Sequence, residues 1–151
     1  MSSVDGADAS PRATTSRNLR CAIYGCVAVI GLVVTWVPNL SYSFGGFMAH
    51  YMSDLTVTPA SRSYTGDLTA LALAAVIVMV VEGRKHGVKF VWLYVFGGFA
   101  TAISFTFPLF LIARELRLEP AESSHIRRVD VALLVIVALL AVGQIVWVSV
   151  A

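Results

Sequence analysis

The chain has 151 residues, of which 58% are hydrophobic and 13% charged, and its formal net charge is +2. Soluble domains carry about 25% charged residues, so this composition, with a mean hydropathy of +0.80, excludes an ordinary soluble enzyme domain and a disordered chain. The mild charge gives no reason to expect a nucleic-acid partner, and the remaining reading is an integral membrane protein whose first partner is the lipid bilayer.

Residues 1–19 are rich in Ser, Thr, Ala, Asp and Arg and read as a disordered polar tail with little to bury. An apolar run follows over residues 21–37. It is too long for a leader's apolar region and no small-residue cleavage site follows, so it reads as a retained first span. Residues 38–65 form an unusual loop. Leu40, Phe44, Phe47, Met48, Tyr51, Met52 and Leu55 recur at helical spacing, with His50 and Asp54 on other faces. This predicts an amphipathic segment lying in the interface plane, although Gly45 and Gly46 weaken a helix there.

The second apolar run covers residues 68–81, with Asp67 placed to cap it. Residues 82–89 make a tight basic turn. The third run covers residues 90–113 and reads as one span, kinked by Pro108 near its end. A mixed-charge loop over residues 114–128 leads to the fourth run, residues 129–150. The predicted fold is all-α: an integral membrane four-helix bundle with an interfacial segment between its first two spans. Residues 20–128 form a three-span domain with loops, and residues 129–151 add the fourth helix. Lys and Arg counts barely separate the two sides. The first helix, with Arg12, Arg17 and Arg20 before it and Arg62 alone in the following loop, favours a multi-pass cell-membrane protein with both termini in the cytoplasm.

Ionisable residues beside apolar spans are expensive and therefore mark candidate sites. With four spans, Asp67 and the pair Arg114 and Glu115 meet at one face, with His50 and Asp54 above them. Such a cluster can bind a headgroup, or it can close helix ends as an ion pair. At the other face the Glu82-Gly83-Arg84-Lys85-His86-Gly87 turn can hold anionic headgroups, with Glu82 orienting Arg84. Candidate catalytic acids are Asp67 and Glu82; candidate binding residues are His50, Asp54, Arg84, Arg114 and Glu115. No metal-ligand cluster, phosphate loop or hydrolase motif occurs, so no metal or cofactor is called for. Gly97 and Gly98, each followed four residues later by Thr101 and Ala102, make small-residue pairs that suit close helix contact. They can serve packing within the chain, a homo-oligomer or a membrane partner protein.

Several stretches carry a family resemblance: Trp36-x-Pro38, Asp67 before a helix, Val81-Glu82-Gly83-Arg84, Trp92-x-Tyr94, Phe107-Pro108-Leu109-Phe110-Leu111 and Arg114-Glu115. Together they resemble the bacterial DUF2834 family of small multi-spanning membrane proteins, over about residues 24–118. The resemblance implies fold and membrane location and no activity. It singles out Asp67, Glu82, Arg84, Pro108 and Arg114 for mutation. Three functions compete. A structural or partner-binding role fits the lack of a catalytic constellation. A small enzyme acting on an isoprenoid or lipid would use one acid to start a cyclisation. A proton or small-solute pathway would need further intramembrane charges.

Overall fold

The computed structural model describes residues 11–43, 47–118 and 128–150, and among them the regular structure is entirely helical. The chain divides into two units, Met1–Pro120 and Ala121–Ala151. The first holds α1 (Pro11–Asn39), α2 (Phe47–Asp54), α3 (Pro59–Lys85), α4 (Val91–Ala100) and α5 (Ile103–Glu115). The second holds α6 (Arg128–Val150).

Three helices, α1, α3 and α6, are long and apolar enough to cross a membrane. The best apolar windows of α1 and α3 are only 6% buried by protein, and that of α6 is 0% buried. Helices apolar on every side and left uncovered need lipid as their solvent. This is the build of a membrane-embedded protein.

α1 is described from Pro11 onward. Residues 11–19, expected in the disordered tail, are therefore helical; residues 1–10 lie outside the described residues. One stripe of α1 turns inward: Arg17, Arg20, Tyr24, Ala28, Gly31 and Thr35, at helical spacing. Its midpoint, Ala28, is buried.

α3 starts well before Asp67. Thr58 caps it, accepting the Ser61 N–H at 3.0 Å while Ser61 Oγ accepts the Thr58 N–H at 3.0 Å. This reciprocal box, with Pro59 at the first position, nucleates the helix two turns earlier than the apolar onset suggests. Asp67 is thus an exposed residue inside α3 and caps nothing. The helix stops at Gly87, whose φ of +63° lets Val88 N–H reach back to the Gly83 carbonyl at 2.9 Å.

The largest departure from expectation lies in residues 90–113. They do not form one span. α4 and α5 fold back on each other about Thr101 and Ala102, so that Tyr94 and Phe110 meet edge to face with ring centroids 6.0 Å apart. In one continuous helix those residues would lie about 24 Å apart. The turn is built by Thr101, whose backbone N–H and side-chain hydroxyl both donate to the Gly97 carbonyl at 2.8 Å. Gly98 makes room for the return: a Cβ there would stand 2.8 Å from Thr106 Oγ1. The arms are about 14 and 18 Å long, and neither spans a hydrocarbon layer of about 30 Å. Three long helices and a hairpin replace the expected four spans.

The core sits where this hairpin meets the end of α3. Met79, Val88, Val91, Val95 and Phe110 are buried together, and a Cβ on Gly83 would run into Val91. α5 also packs antiparallel along α1. Arg20 lies beside Glu115 and Gly31 beside Ser104, about three turns apart in both helices. Trp36 then donates its indole N–H to the Thr101 carbonyl at 3.0 Å. The start of α1, the end of α3 and the end of α5 consequently share one end of the unit, and the hairpin tip points the other way.

The segment between α1 and α3 is helical over Phe47–Asp54. Tyr42, Phe47 and Tyr51 form a ring cluster, Phe47 stacking on Tyr51 at 5.2 Å. Phe44, Gly45 and Gly46 lie outside the described residues, as does the side chain of Met48. In the second unit, α6 is largely apolar from Val131 onward, with Gln144 its main polar residue.

Candidate functional site

The ionisable residues gather at the end where α1 begins and α3 and α5 finish. Glu82, in the last turn of α3, accepts from Arg114 Nε at 2.7 Å. His86, one helical turn on, places Nε2 3.2 Å from the same carboxylate oxygen, off the hydrogen-bonding axis. Arg20 of α1 stands 3.2 Å from Glu115 of α5, with the two side chains 15% and 5% exposed. Tyr24, the next inward residue of α1, is within electrostatic reach of Glu115, Arg20 and Arg114. Two acids, two guanidinium groups and a histidine thus join three helices. A desolvated charge costs several kcal/mol unless paired, and here the helix geometry supplies each acid with a partner.

This arrangement corrects the expected site. Arg114 meets Glu82, not Asp67, because the hairpin returns the chain to the face from which α4 departed. Asp67 lies about 22 Å from Glu82 along α3. Glu82 does not orient Arg84 either; residues two apart on a helix point to different sides, and Arg84 is exposed. Asp54 belongs to a separate contact, accepting from Tyr42 Oη at 2.7 Å. His50 is exposed on α2, and its carbonyl accepts from Ser53 Oγ at 2.8 Å. The Arg20–Glu115 pair and the place of His86 were not read from the sequence. The signal available was the stripe of α1, where Arg17, Arg20 and Tyr24 precede Ala28 and Gly31 on one face.

The small residues of the third apolar run work inside the chain. Gly97 and Gly98 face Thr106, Thr101 makes the turn, and Ala102 is buried. Among the described residues there is no group of three or more His, Cys, Asp or Glu able to hold a metal ion.

A family model described as "Protein of unknown function DUF2834" matches residues 23–116. The chain belongs to the DUF2834 family. The matched stretch contains two of the contacts that hold the hairpin, Trp36 with Thr101 and Glu82 with Arg114. Arg17, Arg20 and all of α6 fall outside it. No curated protein and no solved structure matches the chain.

Proposed function

We propose that this DUF2834 protein is a multi-pass protein of the cell membrane with a structural or partner-binding role. The observation that carries the reading is that the acids beside the apolar helices are spent on partners within the chain: Glu82 on Arg114 and His86, Glu115 on Arg20. A cyclase-like enzyme needs a free protonated acid facing an apolar cleft. Glu82 instead accepts a charge-assisted hydrogen bond, and Asp67 is exposed on α3. A proton pathway needs titratable groups along its course, and between Asp67 and Glu82 α3 carries none.

The proposed topology is three crossings, by α1, α3 and α6, with the α4–α5 hairpin entering and leaving by one face. Its support is the distribution of charge in the first unit. Arg17, Arg20, Arg84, Lys85, Lys89, Arg114 and Arg117 belong to the end that carries the ion pairs, and Arg62 to the other. Basic residues stay on the cytoplasmic side, so the ion-paired end is cytoplasmic and the N-terminus with it. In this reading an odd number of crossings carries the C-terminus to the opposite side, whereas four crossings would leave both termini in the cytoplasm. α2, with its Tyr42–Phe47–Tyr51 cluster, then lies at the outer interface among the headgroups.

The partner is a second copy or another membrane protein. Because Gly97 and Gly98 are taken up by Thr106, the contact falls on the outer face of α4, where Leu93, Phe96 and Phe99 are exposed. Photo-crosslinkers at Leu93 and Phe99 in living cells test this. A discrete adduct absent with a crosslinker at Leu71 of α3 is expected. Adducts to lipid alone, with the protein monomeric in mild detergent, would remove the reading.

A further inference from the structure

The ion-paired end carries more hydrogen-bond donors than it can use. Each guanidinium offers five N–H groups and each carboxylate accepts about four hydrogen bonds. Among the described residues Arg20 pairs with Glu115 and Arg114 with Glu82 while Arg17 pairs with no acid, so the set keeps surplus donors and formal positive charge. The surplus is located. Nε of Arg17 and Nε of Arg20 are buried without a hydrogen-bond partner, as is Oε2 of Glu115, which meets Arg20 as an ion pair and not along a hydrogen-bonding axis. Arg20 is already anchored through its terminal nitrogen to Glu115, whereas Arg17 has no ion pair with any acid among the described residues. The two are one turn apart on the inward stripe of α1.

A buried donor without an acceptor is costly, and an arriving anion removes that cost. Position narrows the anion. Arg20 immediately precedes the apolar run that starts at Cys21, so the donors sit at the level of lipid headgroups rather than in hydrocarbon. Chemistry narrows it further: paired guanidinium forks match the several oxygens of a phosphate group. We infer that Arg17 and Arg20, with Arg114 beside them, form a binding site for a phosphate group at this end of the unit. Glu115 and Glu82 hold Arg20 and Arg114 in position without cancelling the surplus that Arg17 contributes. The inference is independent of the partner-binding role.

Two sources can supply the phosphate: an anionic phospholipid headgroup or phosphate in the surrounding water. The test uses the full chain in nanodiscs of phosphatidylcholine, with and without phosphatidylglycerol, and follows lipid retained on extraction by native mass spectrometry. Inorganic phosphate is titrated separately. Retained phosphatidylglycerol that phosphate does not displace identifies a headgroup site; phosphate binding without lipid retention identifies the soluble anion. In either case Arg17→Gln weakens binding by about tenfold, equivalent to losing one charge-assisted hydrogen bond. Its thermal midpoint stays near wild type, because Arg17 has no ion pair among the described residues. Arg17→Lys, which keeps the charge but loses the fork, recovers little, and Arg62→Gln at the other end changes nothing. Equal binding by Arg17→Gln and Arg62→Gln, full recovery with Arg17→Lys, or no binding of either probe by wild type would overturn the site.

Discussion

The backbone of Ser104 lies against Gly31 so closely that a Cβ built on Gly31 would stand 2.7 Å from the Ser104 carbonyl oxygen. Pro108, four residues after Ser104 and inside α5, has no N–H to give that carbonyl. The oxygen therefore turns toward α1, where a glycine permits the close backbone approach used by helices packing in membranes. Pro108 acts here as a docking device in mid-helix rather than as a kink near the end of a long span. Gly31→Ala is expected to push the hairpin off α1 and cost on the order of 1–3 kcal/mol. Gly25→Ala and Gly66→Ala, which meet nothing within 4 Å, should be neutral or slightly stabilising. Denaturation in detergent micelles measures all three, and equal midpoints would refute the packing.

The Glu82–Arg114 pair yields a second expectation. Both side chains are about a quarter exposed, 25% and 27%, so solvent screens part of the attraction. Breaking the pair with Glu82→Gln or Arg114→Gln should each lower the thermal midpoint. The double variant should cost less than the sum, because the two residues share one contact. Asp67→Asn should stay within about 0.5 kcal/mol of wild type. A double-mutant cycle with additive losses, or coupling between Asp67 and Arg114, would contradict the geometry.

What the sequence revealed and what it hid divide along a physical line. α1, α3 and α6 announce themselves because crossing hydrocarbon demands an unbroken apolar stretch of a set length. The hairpin does not, because residues 90–113 are apolar on every side, and periodicity is silent where no face is wet. Its markers were visible in Gly97, Gly98, Thr101 and Pro108, but each has another meaning in a single span, as a contact motif or a kink. One reversal of direction brings the end of α5 back to the end from which α4 departs, and this sets Arg114 beside Glu82 and far from Asp67. The start of α3 was hidden differently. The Thr58–Ser61 box is readable, yet the turns that follow it are polar, so the apolar onset at Leu68 drew the boundary.

Outside the spans, Tyr42 donates to Asp54 at 2.7 Å, and this hydrogen bond holds the phenol above its ordinary value near 10. For a group raised in the folded state, the contribution to stability is fully present below the unfolded value and is lost as pH rises through the folded one. The contact should therefore persist through neutral pH and be lost as the phenol ionises in alkali. Difference ultraviolet titration of wild type against Tyr42→Phe isolates this phenol. Asp54→Asn should bring its titration back toward the ordinary value, and an unmoved titration would show that the carboxylate does not hold it.

The hairpin carries the sharpest prediction, because it decides on which side of the membrane the chain emerges after α5. If residues 90–113 crossed once, Lys89 and Arg117 would face opposite compartments. In the fold described here both belong to one end, fixed by Glu82–Arg114 and Arg20–Glu115. Both native cysteines are free thiols, so Cys21→Ser with Cys26→Ser gives a background for single introduced thiols. Lys89→Cys and Arg117→Cys should react with a membrane-impermeant maleimide only after the cytoplasmic side is opened. Arg62→Cys should react in intact cells. Thr101→Cys, at a tip whose carbonyl is taken by Trp36, should label more slowly than Arg62→Cys from outside. The comparison of Lys89 with Arg117 is decisive on its own: labelling from opposite sides means a crossing helix, and labelling from one side means a hairpin.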